Sequence, residues 1–88
     1  MTPEKAFGEV LKEIRQKHSL SQEELGFESG YHRTYISLLE RGRKSPSLNT
    51  VFQLAIALGL LPSEILRQTE GRVKKASRRD AGGRGKAR

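Results

Sequence analysis

The side chains able to do chemistry in this 88-residue chain are few and of one kind. Four cations, Arg33, Arg41, Arg43 and Lys44, fall between positions 33 and 44, among hydroxyls and amides at Thr34, Ser37, Asn49 and Thr50. Guanidinium, ammonium, hydroxyl and amide groups grip phosphates and base edges by charge and hydrogen bonding. Catalytic groupings are missing. There is no cysteine, and no Ser/His/Asp arrangement stands out. Two histidines, His18 and His32, do not make a zinc site unaided. Glycines crowd only the C-terminal end, without the strand and helix that a phosphate-binding loop requires. Neither an enzyme, a metal centre nor a cofactor is expected.

Overall charge is +7, with a pI near 10.3, and suggests a polyanionic partner. Its distribution is uneven. Residues 1–66 carry eight cations and eight anions, whereas residues 67–88 carry nine cations against Glu70 and Asp80. The tail is also poor in apolar residues, with Val73 and three alanines. A segment of that kind buries too little to offset its ordering entropy. Residues 67–88 therefore read as a flexible basic tail, helical for a turn or two after Leu66, and suited to binding nucleic acid nonspecifically or to keeping the chain soluble.

The elements that must position these groups are helices. Residues 3–18 place Phe7, Val10, Leu11 and Ile14 on one face, with Thr2 as cap and Pro3 in the first turn. Residues 21–28 open on Ser21 and Glu24, a capping box, with Leu20 and Leu25 as a hydrophobic staple. Gly30 ends this second helix. Residues 32–40 form a third, with Ile36 and Leu39 inward, closed by Gly42. Ser47 caps a fourth, 48–58, whose buried stripe is Leu48, Val51, Leu54, Ala55 and Leu58. Pro62 opens a fifth, 62–67. No alternating strand pattern occurs. The expected fold is all-α: one compact domain of five helices over 3–66, followed by the tail. Val51–Leu61 is about half a membrane span and is broken by Gln53. The N-terminus has no secretory signal pattern. The chain is expected to be cytoplasmic.

Two short helices joined through Ser29-Gly30-Tyr31 make a helix-turn-helix pattern. Gly26 supplies a small residue where the helices cross, Gly30 a position free to take positive φ, and Ile36 an apolar anchor. The run Leu20-Ser21-Gln22-Glu23-Glu24-Leu25, then Ser29-Gly30, Thr34-Tyr35-Ile36-Ser37, Glu40-Arg41-Gly42 and Pro46-Ser47-Leu48-Asn49-Thr50-Val51 resembles the Cro/C1-type (XRE family) helix-turn-helix domain. The likeness covers about residues 5–66. It implies a lambda-repressor-like fold and a transcriptional regulator that binds double-stranded DNA, with helix 32–40 in the major groove. On that pattern His32, Arg33, Thr34, Ser37 and Leu38 reach bases. Arg33 is the best placed, because its fork can donate to guanine O6 and N7. Gln22 takes the family's phosphate-contacting glutamine position. Tyr35, Arg43, Lys44, Asn49 and Thr50 are further phosphate residues. Glu40 reads as structural. Arg41 is either a DNA contact or the partner of a carboxylate such as Glu24.

Some residues depart from the family pattern. Ser19 stands where glycine is frequent, Tyr31 where a small β-branched residue is usual, and Gly26 where alanine is common. Phe52, Ile56, Leu60, Leu61 and Ile65 are apolar at positions that the buried stripe does not explain. They form either a two-fold homodimer interface or a packing surface between the last two helices. A dimer suits a palindromic operator, whose half-sites lie about 34–36 Å apart. The reading from another class is an adaptor or antitoxin-like protein-interaction module. A third is a general nucleic-acid binder acting through the tail alone.

Overall fold

Capping residues set the helix boundaries in the computed structural model, which describes the backbone of residues 1–81 and the side chains of 1–77. Five helices follow in order: α1 (Pro3–Lys17), α2 (Gln22–Ser29), α3 (Arg33–Glu40), α4 (Leu48–Ala57) and α5 (Pro62–Ala81). No strand occurs among the described residues. Thr2 Oγ1 accepts from the Lys5 N–H at 3.1 Å. Ser21 and Glu24 close the reciprocal capping box at 2.9 and 2.8 Å. Ser47 Oγ accepts from the Thr50 N–H at 3.0 Å. Each such cap satisfies a donor that has no partner within the helix, worth about 1 kcal/mol.

Gly30, at φ 87°, ends α2 in the left-handed region. Ser19, between α1 and α2, adopts φ 56°. Glycine is frequent at this position in the family that the sequence resembles, and a serine there bears a left-handed cost of roughly 1–2 kcal/mol.

The core joins α1 (Phe7, Val10, Leu11, Ile14) to Leu25 of α2, Ile36 and Leu39 of α3, Val51, Leu54 and Ala55 of α4, Leu58 after it, and Ile65 of α5. Each large aliphatic side chain removed from water contributes about 1.5–3 kcal/mol before entropy is subtracted. Gly8 lets α1 reach the end of α3. A Cβ there would lie 2.6 Å from the Glu40 carbonyl oxygen and closer still to that of Leu39.

Three expectations change. Ile65 is fully buried and belongs to the core rather than to an outer surface, while Leu60 is half-buried against the core. Leu48, expected in the buried stripe, is 70% exposed. It starts a row at i, i+4, i+8 with Phe52 and Ile56, beside the stripe of Val51, Leu54, Ala55 and Leu58. Helix α5, expected over 62–67 with a turn or two beyond, runs through Ala81. Its turns after Leu66 dock on α1 by side chains that were counted as tail. Thr69 is buried, with its hydroxyl donating to the Ile65 carbonyl at 2.8 Å. The Arg72 guanidinium spans Glu9, at 2.9 Å, and Glu13, at 2.5 Å. These two carboxylates sit one turn apart on α1 and repel each other without the cation. Residues 67–81 are thus helical, and the turns that carry Thr69 and Arg72 pack on the domain. The remainder of the proposed tail, 82–88, lies outside the described residues.

Candidate nucleic-acid interface

Helices α2 and α3 meet across a turn that leaves little room. A Cβ on Gly26 would collide with the Tyr31 carbonyl oxygen and lie 3.3 Å from the Arg33 nitrogen. Glycine is therefore required sterically at the crossing, a stricter demand than the small residue expected there. The turn is tied by the Gly30 and Tyr31 N–H groups, both donating to the Gly26 carbonyl at 2.9 and 2.8 Å. Behind α3, Ile36 and Leu39 are fully buried. That burial turns the N-terminal half of the helix outward.

His32 is the N-cap of α3, and its Nδ1 accepts from the Thr34 N–H at 3.0 Å. Its other ring nitrogen is thereby left to face outward, so capping and external contact are compatible. Arg33 and Thr34 are exposed, and Ser37 and Leu38 half-buried. The Arg33 guanidinium lies 3.6 Å from Glu23, with both side chains exposed. A pair of that kind is worth under about 1 kcal/mol and does not hold the arginine away from another partner. Arg43, Lys44 and Asn49 are exposed in the α3–α4 loop and the first turn of α4. Arg41 bonds its own helix, its Nε donating to the Ser37 carbonyl at 3.4 Å. Glu24, its suggested partner, is committed to the capping box.

Thr50 does not fit the expected phosphate role. It is buried, and its hydroxyl oxygen has Tyr31 Oη at 3.1 Å, Ser47 Oγ at 3.0 Å and Tyr35 Oη at 3.4 Å. The Tyr31 and Tyr35 rings lie 5.1 Å apart and tilted. This hydroxyl cluster fastens the turn and α3 to the start of α4. It also explains why a tyrosine serves at position 31, where a small residue was expected: its ring and hydroxyl reach α4.

Glu40 is structural, as read from the sequence, and its network is larger than expected. Its side chain is 2% exposed. Arg15 Nε and Nη2 donate to its two oxygens at 2.6 and 3.0 Å, and Arg15 Nη1 donates to the Leu20 carbonyl at 2.8 Å. Gln22 Nε2 adds a bond to Glu40 Oε1 at 2.9 Å. Arg15 was overlooked as a partner. Its signal lay in the spacing, since Arg15 follows Leu11 by four and Glu40 follows Ile36 by four, so both charges fall on buried stripes.

Comparison with known proteins agrees with this geometry. Residues 11–65 match the family model described as Helix-turn-helix. The chain belongs to that family. Its XRE-type members are transcription regulators and not enzymes. The chain is 44% identical over 61 residues to control protein C.BamHI of Bacillus amyloliquefaciens, covering 68% of this chain and 75% of that protein. Among solved structures, the restriction-modification controller protein C.AhdI from Aeromonas hydrophila is 43% identical, with a TM-score of 0.68 over 69% of this chain and 92% of its own. The clp gene regulator ClgR from Corynebacterium glutamicum is 28% identical, with a TM-score of 0.83 over 93% of this chain and 88% of its own. The second likeness extends beyond residue 65, where the family model stops.

Proposed function

We propose that this helix-turn-helix protein is a sequence-specific transcriptional regulator of double-stranded DNA, acting in the cytoplasm. Helix α3 enters the major groove. Arg33 reads a guanine through O6 and N7, helped by Thr34 and Ser37 with His32 and Leu38 at the margins. Gln22, Tyr35, Arg43, Lys44 and Asn49 grip the backbone on either side. The observation that carries this reading is the outward N-terminal half of α3, braced from behind by Ile36 and Leu39. Exposed Arg33 opens this helix, and exposed Arg41, Arg43 and Lys44 follow its C-terminal end.

The protein works as a two-fold dimer on a palindromic site. Phe52, Ile56 and Leu61 are 47%, 68% and 64% exposed. Leu48 and Leu66 join them in place of Ile65 and Leu60. No charged residue occurs from Ser45 to Ser63, so this face offers an oppositely charged partner nothing, and a second copy suits it. Residues 67–88 add phosphate contacts without sequence choice, through Arg67, Lys74, Lys75 and the cations beyond. A mobility-shift series against salt checks these roles. Binding should fall steeply as salt rises, and a chain ending at Ala81 should show a shallower slope. An unchanged slope would remove residues 82–88 from the interface.

A further inference from the structure

We infer that Glu40 is a positioning residue for DNA, holding the Gln22 amide in the orientation that meets a phosphate. The inference rests on the phosphate role proposed for Gln22. Gln22 is the first residue of α2, where the leading backbone N–H groups precede any acceptor within the helix. A free glutamine at that place would sample many rotamers. Here its Nε2 donates to Glu40 Oε1 at 2.9 Å. Glu40 has little freedom itself. Arg15 clamps both its oxygens, Arg15 is anchored on the Leu20 carbonyl, and the end of α3 lies against Gly8.

The chemistry of the acceptor matters. An ionised carboxylate only accepts, so it fixes which end of the Gln22 amide points inward. The nitrogen is held by one of its two hydrogens. The other hydrogen is left to donate outward, beside the open N–H groups of α2. A glutamine at position 40 would lose that discrimination, because it can donate as well as accept. Glu40 is also the last residue of α3. One side-chain bond therefore fixes the phosphate-gripping end of α2 relative to the base-reading helix. Preorganisation of this kind raises affinity by removing an ordering cost at binding.

A double-mutant cycle in the full chain, on a duplex obtained by selection, tests the coupling. Q22A should weaken binding roughly three- to tenfold, the range for a net hydrogen bond. R15M/E40L replaces a buried ion pair by apolar residues of similar volume, an exchange that proteins tolerate, and leaves the net charge unchanged. It should remain helical by circular dichroism and bind more weakly by a similar factor. Adding Q22A to it should then cost less than about twofold, because coupled residues are non-additive. If Q22A costs its full factor in both backgrounds, Glu40 does not act through Gln22 and the inference fails. If Q22A alone leaves affinity unchanged, the phosphate role of Gln22 is what fails. A second readout needs neither DNA nor the apolar pair. In the free protein one Gln22 side-chain amide proton should resonate away from its random-coil position and shift toward it in E40Q, where a neutral amide replaces the charged acceptor; a random-coil signal in the unmodified chain overturns the proposal.

Discussion

Arg33 leans on Glu23 at 3.6 Å in the free protein, and both side chains stand in water. Such a pair is easily exchanged for a better partner, and guanine offers two acceptors in one plane. Arg33→Ala should cost about 1–3 kcal/mol on the preferred site and relax choice at one base. Measured on random duplex, the same change should cost much less; equal losses would assign Arg33 to the backbone. Arg43 and Lys44 are proposed for the phosphate backbone instead. Removing either should weaken binding uniformly across sequences and lower the salt slope by about 1. A sequence-dependent loss would contradict that role. The residues that could be read from sequence were those acting locally: Ser21 with Glu24, Gly30, Ser47 and the outward start of α3. Thr50 was misplaced because its three hydroxyl neighbours come from the turn, α3 and the cap of α4.

The helices themselves were legible where apolar spacing and caps agree, which covers α1 to α4 nearly to the residue. Helix α5 was not, because its composition after Leu66 describes a solvated tail. What orders it is on another helix: Glu9 and Glu13 of α1 receive Arg72, and the core face of α5 continues through Thr69. This contact has a pH signature. Hydrogen bonding and charge from Arg72 hold the Glu13 carboxyl below its ordinary 4.5. A carboxylate lowered on folding contributes stability that is present above its unfolded value and lost as pH falls through the folded one. Docking of α5 should therefore loosen below about pH 4.5, seen as faster amide exchange around residues 69–77. In Arg72→Ala that exchange should already be fast at neutral pH and change little on acidification. The same acid sensitivity in both proteins would show that Arg72 is not the clamp.

For the molecule as a whole, charge and hydrophobicity divide the labour. The domain over 1–66 is neutral and puts four exposed cations, Arg33, Arg41, Arg43 and Lys44, in α3 or just after it, while the excess of seven lies beyond residue 66 and is proposed to adjust affinity rather than choice. In the proposed dimer the uncharged surface around Phe52 and Ile56 would pair two domains and so set the spacing of two recognition helices. Phe52→Glu should give a monomer in sedimentation analysis with an intact helical spectrum; a persisting dimer would move the interface elsewhere. The account meets its most direct test in selection from a library of randomised duplex DNA. It predicts enrichment of a two-fold symmetric motif whose half-sites are about one helical turn, 34–36 Å, apart. Retention of the library with no sequence enriched would contradict it.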